Sequence, residues 1–295
     1  MNTLKLQNSI FKIIIELFIW NKKARSKAKA NWTKWHLKKY VNKAIKETQI
    51  ENIKTNNERP IIWQYWHQGI ENAPLLIQKC IESTKKFHPD YEIKFLSFEN
   101  INDYVDIPKK YYDLLEQKKI PIAIFSDILR LYLLTKYGGC WVDATLYFTG
   151  RIPDKILNSK FFVPQKNPKT DAFGDKMSCY FIRSDKDSIW IHLIKNAIEN
   201  YWNENDYLIH YFMFEHVVSM ISESTKELKN DWKKMPFILT QEFEIFRKNL
   251  YDTYSDELFK EIKKTSFMHK LSYKIIQNSS NSNTFYDKII NNELF

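Results

Sequence analysis

Glycine and cysteine are both scarce in this sequence of 295 residues. Glycine occurs five times, and neither G-x-G-x-x-G nor G-x-x-x-x-G-K-[ST] is present, so a dinucleotide site or a P-loop has no support. The three cysteines are widely spaced and form no metal-ligand pattern, which argues against a disulfide framework or a zinc site. We therefore expect a protein of a reducing compartment, built as one large α/β domain with an extension.

Long apolar runs are also missing. The most apolar segment, residues 10–20, is interrupted by Lys12 and Glu16, and eleven residues are too few to span a bilayer as a helix. No small-residue cleavage site follows this segment, so it does not resemble a secretory signal. We therefore expect the protein to stay in the cytoplasm.

Basic charge is concentrated in the first fifty residues. They hold 12 Lys and Arg against 2 Asp and Glu, whereas the other 245 residues hold 33 of each sign. A neutral main part has no basic excess to follow a phosphate backbone, so we expect no nucleic-acid partner.

The basic segment follows the apolar one and carries two tryptophans, Trp32 and Trp35. Residues 10–46 thus have the composition of an interfacial membrane binder, which would place the protein peripherally at the inner face of the plasma membrane. The alternative is that the apolar residues pack against the main domain and the lysines form a solvated face.

Apolar periodicity divides the rest of the chain into helices and strands. A polar stretch from Glu47 to Arg59 separates a basic amphipathic extension, residues 1–55, from the main domain, residues 56–295. A strand–helix–strand unit opens this domain, and such units build parallel sheets that bind ligands at the carboxyl ends of the strands. The predicted strands cover residues 60–66, 91–96, 140–142, 161–164 and 178–183, and the predicted helices cover residues 74–88, 109–118, 121–137, 188–202 and 207–220.

Two charged residues interrupt an otherwise apolar predicted helix. Asp127 and Arg130 are three positions apart and lie on one face, among isoleucine and leucine residues that we expect to be buried. Buried charges need partners, and an ion pair that serves only the fold is one interpretation. The next strand suggests another, because it delivers Asp143 to its carboxyl end, where α/β sheets place ligands. In that case Asp127, Arg130 and Asp143 converge on one pocket.

The same segment resembles the signature of the capsular polysaccharide synthesis glycosyltransferases. That family is related to the initiating α-mannosyltransferases of yeast and to glucosylating toxins with a D-x-D sugar-binding motif. Order and spacing are retained over residues 60–153, and more weakly toward the carboxyl end. The resemblance implies a GT-A fold, a Rossmann-like α/β domain that binds a nucleoside-diphosphate sugar with Mn²⁺ or Mg²⁺. The matching segments are Ser126-Asp-Ile-Leu-Arg130, Lys136-Tyr-Gly-Gly139 and Trp141-Val-Asp143-Ala-Thr145.

The resemblance also implies a role for each residue of a nucleotide-sugar site. Trp66 matches the aromatic residue that stacks on the nucleotide base, with Gln64 beside it. Asp127 matches the carboxylate that accepts hydrogen bonds from ribose and sugar hydroxyls, and Arg130 matches the arginine that reaches the donor. Asp143 matches the first acid of D-x-D. These residue types suit the roles, because a base stacks on an indole and a guanidinium holds oxygen anions.

The metal site is where the sequence departs from the family pattern. Thr145 stands at the second acid of D-x-D, and a hydroxyl is a poorer metal ligand than a carboxylate. The resemblance leaves Asp143 as a metal ligand and adds two candidates, His269 and Ser272, from a segment similar to the carboxyl-terminal ligand segment of the relatives.

Other polar residues carry weaker signals. Asp206 and His210 are candidates for the acceptor side of the site, although a place in the core is the alternative for their segment. His210 and His216 are six positions apart, which does not put both on one helical face for a metal. Trp63 is expected to pack in the core.

The resemblance predicts transfer of a sugar from a nucleoside-diphosphate sugar, with retention at the anomeric carbon. The acceptor would be a growing capsular or other surface polysaccharide, as a saccharide or a lipid-linked saccharide. A rival enzyme activity is metal-dependent phosphoryl transfer at Asp127 and Asp143, which would need more clustered acids and histidines than the sequence holds. A rival outside enzymes is a membrane-associated scaffold, a degenerate transferase in which Thr145 marks lost metal binding. The donor sugar and the linkage are not encoded in these motifs.

Overall fold

The computed structural model describes residues 3–48, 61–274 and 282–294, and these residues form twelve α-helices and seven strands. The helices are α1 (Thr3–Phe18), α2 (Lys22–Glu47), α3 (Leu75–Phe87), α4 (Lys109–Glu116), α5 (Ile122–Tyr137), α6 (Asp154–Leu157), α7 (Ile189–Glu204), α8 (Met213–Ile221), α9 (Lys226–Lys234), α10 (Thr240–Asn249), α11 (Asp256–Thr265) and α12 (Phe285–Ile290). The strands are β1 (Ile61–Tyr65), β2 (Glu92–Leu96), β3 (Gly139–Val142), β4 (Leu146–Phe148), β5 (Phe161–Phe162), β6 (Phe181–Ser184) and β7 (Met268–Lys270).

A five-stranded sheet lies at the centre, in the order β2-β1-β3-β6-β5. Strand β1 is parallel to β2 and β3, and β6 is antiparallel to both of its neighbours, so four strands run in one direction. A separate two-stranded sheet pairs β4 with β7. The predicted fold class, a mixed α/β fold with a parallel-rich sheet and a helical amino-terminal part, is confirmed.

Two consecutive glycines set the position of β3. Gly138 and Gly139 have φ angles of +70° and +98°, in the region that favours glycine. A Cβ atom on Gly139 would lie 2.4 Å from the carbonyl oxygen of Ile61, so a larger residue would push β3 away from β1. This turn ends α5 and leads directly into the strand that precedes Asp143.

Helix α5 is anchored by its apolar side chains. Phe125, Leu129 and Leu133 are fully buried in the main core, and burying each contributes about 1.5–3 kcal/mol. Trp63 of β1 is buried as predicted, and its Nε1 donates to the carbonyl oxygen of Gly138 at 2.9 Å. The polar residues of α5 are therefore carried by a helix that is fixed against the sheet.

The two amino-terminal helices behave differently. Helix α2 packs against α7 and α8, and its buried residues, which include Leu37, Tyr40 and Val41, belong to the main core. Helix α1 instead exposes large apolar side chains, namely Leu6, Ile10, Ile13, Ile14, Leu17 and Phe18, with Trp20 following it.

Among the described helices, none is both long and apolar enough to cross a membrane. The predicted linker and the boundary at residue 55 lie mostly in residues 49–60, outside the described residues.

Two sequence-based assignments need correction. The helix predicted over residues 207–220 begins only at Met213, because residues 207–212 form an irregular segment in which the Phe212 N–H donates to the His210 ring at 3.1 Å. No helix or strand is predicted after residue 220, yet that part of the chain contains β7 and α12. Strand β7 has three residues and owes its form to pairing with β4, far away in the sequence.

Candidate functional site

Helix α5 and the end of β3 bring three predicted residues together. Asp127 and Arg130 lie on one face of α5, and Arg130 Nη2 is 3.0 Å from Asp127 Oδ1. The same nitrogen is 3.4 Å from Oδ1 of Asp143, which follows β3 directly. The expected convergence of Asp127, Arg130 and Asp143 is therefore present, and it lies at the carboxyl end of a parallel strand.

The Arg130 guanidinium is held from every side. Its Nη1 donates to the Cys179 carbonyl oxygen at 2.6 Å, and its central carbon lies 4.8 Å from the centre of the Trp141 ring. The side chain is only 4% exposed, so its two carboxylate partners offset the cost of burying its charge. Arg130 is thus a fixed positive charge between two acids.

A fourth charged residue, Lys270, completes the group. Its Nζ lies 2.7 Å from Asp143 Oδ2, while the Trp141 Nε1 donates to Asp143 Oδ1 at 2.9 Å. Lys270 reaches this position because β7 pairs with β4, which follows Asp143 closely in the chain. We call Asp127, Arg130, Asp143 and Lys270 the site cluster. The sequence-based prediction missed Lys270, although it singled out the segment 269–272 that contains this residue.

The two carboxylates of the site cluster have opposite pKa shifts. Burial raises the pKa of Asp127 to about 6, against the opposing effect of Arg130, and the negative charge of Asp143 adds to the increase. Burial also acts to raise the pKa of Asp143, but Lys270 and Arg130 outweigh it and hold that pKa below its ordinary value. Asp143 is therefore ionised at neutral pH, while Asp127 titrates only slightly below it.

Two further residues border Asp127 and were also missed. Burial, assisted by the charge of Asp127, raises the pKa of the Glu215 carboxyl to about 7. Cys179 Sγ lies 3.4 Å from Glu215 Oε1 and 3.7 Å from Asp127 Oδ1, so it bridges the two acids. Glu215 belongs to α8, and no spacing in the sequence links this helix to α5. Only tertiary packing reveals this neighbour.

A cavity of about 300 Å³ opens beside the end of β1. Gln64 and Trp66 both line it, together with Phe95 and Asn100 near the end of β2. Gln64 is 1% exposed, yet neither atom of its amide has a hydrogen-bond partner among the described residues. A buried amide without partners costs free energy unless a ligand or water satisfies it, so a polar ligand in this cavity would stabilise Gln64.

Three residues that were predicted to bind a metal, or to lie beside it, differ in their surroundings. Thr145 Oγ1 is buried and has no hydrogen-bond partner in the described part of the chain. Ser272 follows Leu271, whose N–H donates to the Thr145 carbonyl oxygen at 2.9 Å, so its segment runs beside Thr145. His269 is fully buried, and its Nε2 contacts Thr149 Oγ1 at 3.1 Å. Side chains alternate along a strand, so Lys270, and not His269, reaches Asp143.

These residues do not form a donor set that suits a divalent cation. Both Asp143 oxygens already contact donors, at Lys270 and Trp141, and Thr145 supplies a hydroxyl in place of an acid. Nowhere in residues 3–48, 61–274 and 282–294 do three His, Cys, Asp or Glu residues gather in a metal-binding arrangement. A cation held by Asp143 and Thr145 would have to displace the Lys270 ammonium, so the expected Mn²⁺ or Mg²⁺ site does not fit this arrangement.

The residues proposed for the acceptor side have other contacts. Asp206 forms an ion pair with Lys119 at 2.7 Å, and the His210 ring contacts His216 Nε2 at 3.1 Å. Neither residue has a hydrogen bond to the site cluster within the described residues. Tyr211, the neighbour of His210, is half exposed, and the carboxyl of Asp127 helps burial to raise the pKa of its hydroxyl.

This chain is similar to proteins named for polysaccharide synthesis and for glycosyl transfer. The family model described as "Capsular polysaccharide synthesis protein" matches residues 14–289. An "O-glycosyltransferase braB" of Annulohypoxylon truncatum is 28% identical over 106 residues, which are 33% of this chain and 25% of that protein. The solved structure "PaToxG Glycosyltransferase" aligns over 92% of this chain and 95% of its own, with 14% identity and a TM-score of 0.39. The family model covers most of the chain, and the protein therefore belongs to the capsular polysaccharide synthesis family.

Proposed function

We propose that this protein is a nucleotide-sugar-dependent glycosyltransferase that extends a capsular or other surface polysaccharide. The observation that carries this proposal is the grouping of Asp127, Arg130 and Asp143 at the carboxyl end of β3. Family membership supports it, and so does the name of the curated relative, an O-glycosyltransferase, although this chain spans only a quarter of that relative's length. The proposed catalytic unit is residues 56–295, preceded by the extension of residues 1–55.

The donor would lie across the carboxyl ends of β1 and β3. The base of the nucleotide would stack on Trp66 and use the unpaired amide of Gln64 in the 300 Å³ cavity. Asp127 would accept hydrogen bonds from ribose and sugar hydroxyls, and Arg130 would face the phosphates. Thr145 Oγ1 and Ser272 would contact the donor as hydroxyls, near the phosphate end.

Catalysis in this scheme rests on position and charge. In the described residues, the carboxylates linked to the site cluster are its own two acids and Glu215. The two acids of the cluster form ion pairs, and Glu215 contacts Cys179. We therefore assign no protein nucleophile, and we propose transfer with retention by attack on the face from which the diphosphate leaves. The Mn²⁺ or Mg²⁺ implied by the family resemblance has no step in this scheme, because the donor set does not fit it.

Donor turnover tests this function. Purified protein should release nucleoside diphosphate from one member of a panel of UDP- and GDP-sugars, slowly with water and faster with a saccharide acceptor. Asp143→Ala should lower the rate at least about 100-fold, as loss of a preorganised charge does elsewhere. Asp113→Ala is the matched control, because Asp113 forms a surface pair with Lys109 on α4. A scaffold without activity would release no diphosphate from any sugar, and full activity of Asp143→Ala would contradict the assigned site.

We further propose that α1 holds the protein at the inner face of the plasma membrane, near lipid-linked acceptors. Its exposed apolar residues are followed by the basic α2, so hydrophobic burial and attraction to anionic lipid would act together. The double variant Leu17→Ser and Phe18→Ser should lose binding to vesicles that contain anionic lipid, as measured by flotation. Phe237→Ser, at an exposed phenylalanine outside α1, should bind as the wild type does. Unchanged flotation of the double variant would refute this attachment.

A further inference from the structure

Lys270 lies beside Asp143, where the family resemblance implies a metal ion. Its ammonium is 2.7 Å from one oxygen of Asp143, and the Arg130 guanidinium is 3.4 Å from the other. Asp143 is the first acid of the family's metal-binding motif, and here it aligns two cations instead. The second acid of that motif is Thr145, whose buried hydroxyl adds no charge.

Lys270 also has the capacity to bind a ligand. An ammonium group has three N–H donors, and within the described residues that of Lys270 makes one hydrogen bond, to Asp143. Its side chain is 22% exposed and passes 5.2 Å from the centre of the Tyr180 ring. Asp143 therefore fixes the direction of the ammonium while leaving donors for an anion.

We infer that Lys270, together with Arg130, neutralises the leaving diphosphate, so that sugar transfer needs no divalent cation. This inference rests on the proposed function. In the step concerned, the bond between the anomeric carbon and the β-phosphate oxygen breaks, and its electron pair stays on that oxygen. The acceptor oxygen bonds to the anomeric carbon, and its proton passes to the departing diphosphate. Lys270 and Arg130 offset the negative charge that develops there, which is the work usually assigned to a metal ion.

Nucleotide binding with and without metal tests this role. UDP and GDP are titrated calorimetrically into the full chain, once in EDTA and once in Mn²⁺. We expect the preferred nucleotide to bind the wild type with Kd values in EDTA and Mn²⁺ that agree within about threefold. Lys270→Gln should weaken binding in EDTA about tenfold or more, the usual effect of losing a charge-assisted hydrogen bond. Lys109→Gln is the control, since its surface pair with Asp113 lies outside the site.

The outcomes separate this inference from the function on which it rests. Nucleotide binding by the wild type that requires Mn²⁺ would overturn the role of Lys270 and leave the glycosyltransferase proposal intact. Equal binding by Lys270→Gln and the wild type in EDTA would overturn it as well. If neither nucleotide binds under either condition, the donor site itself is wrong, and this role is overturned with it. Should Lys270→Gln fail to fold in a thermal melt, the wild-type comparison between EDTA and Mn²⁺ decides alone.

Discussion

Two buried groups of charged and titratable residues in the described part of the chain differ in their access to solvent. In the site cluster, the side chains of Asp127 and Asp143 keep 14% and 25% of their exposure. In the second group, which we call the sealed cluster (Lys34, Asp175, His210 and His216), the side chains of Asp175 and His216 are completely buried. Both clusters join distant parts of the chain, but only the first leaves its carboxylates within reach of a ligand.

The members of the sealed cluster pair with one another, although Asp175 Oδ2 has no hydrogen-bond partner in the described residues. Asp175 Oδ1 lies 2.9 Å from His216 Nδ1 and 2.8 Å from Lys34 Nζ, and the second nitrogen of His216 faces His210. Lys34 belongs to α2, so this cluster fastens the amino-terminal part to α8. Burial of charge alone therefore does not mark a functional site, and the partial exposure of Asp127 and Asp143 is what distinguishes the site cluster.

The largest expected effect is a loss of activity on substitution of a residue in the site cluster. Asp127→Ala should lower kcat/KM for donor turnover about 1000-fold, because it removes the acceptor of the sugar hydroxyls and one partner of Arg130. Steady-state kinetics with the nucleotide sugar that proves active in the turnover assay provide the measurement. A decrease of less than tenfold in a folded Asp127→Ala protein would show that the site cluster is structural, like the sealed cluster.

The next effect is on stability, at the sealed cluster. His216→Ala should lower the free energy of unfolding by about 3 kcal/mol, because it leaves a cavity and deprives buried Asp175 of a donor. Urea denaturation measures this change. Activity per folded molecule should stay within about twofold of the wild type, and a large loss of kcat at full folding would place His216 in the functional machinery.

The response to pH should separate the two clusters further. The pKa of Asp127 is raised to about 6, so activity that needs its ionised form should fall about fivefold between pH 6 and pH 5. Burial lowers the pKa of His216, and lowers that of His210 to about 4. Because the folded state prefers both rings neutral, stability is full above about pH 6.5 and declines as the pH falls toward 4. Parallel activity and unfolding profiles test this, and an activity profile that is flat down to pH 5 would contradict the role of Asp127.

The smallest effect is expected where α2 joins the sealed cluster. Lys34→Met should lower the free energy of unfolding by about 1 kcal/mol, since Lys34 is partly exposed and Asp175 retains His216. Thermal or urea unfolding provides the measurement, with donor turnover as the control. A loss larger than that of His216→Ala would mean that the ion pair, and not the histidine, stabilises this junction.

The sequence predicted the parts of the site that depend on local pattern. The strand–helix–strand unit of β1, α3 and β2 follows from apolar periodicity, and the turn at Gly138 and Gly139 follows from the demand for positive φ. The three-residue spacing of Asp127 and Arg130 fixes their common face, and the chain direction delivers Asp143 beside them. Each of these features is determined within one continuous segment of the chain, residues 61–96 or residues 127–143.

The rest of the site depends on pairings across the chain. Which of two neighbours, His269 or Lys270, reaches Asp143 is set by the register between β4 and β7, and a shift of one residue would exchange them. The approach of Glu215 depends on how α8 packs, and residues 207–212 gave a misleading helical pattern just before it. Likewise, composition could not separate the buried residues of α2 from the exposed apolar residues of α1.

Ligand-induced stabilisation tests the central claim most directly, namely that the site cluster binds a nucleotide sugar. Thermal unfolding of the wild type and of Asp143→Ala is followed with each UDP- and GDP-sugar. At a ligand concentration of about 100 times Kd, binding stabilises the folded state by about 2.7 kcal/mol, which raises Tm by several degrees. We predict this increase for the wild type with one of the donors, and no increase for Asp143→Ala. An equal increase in both proteins, or no increase with any donor, would contradict the claim.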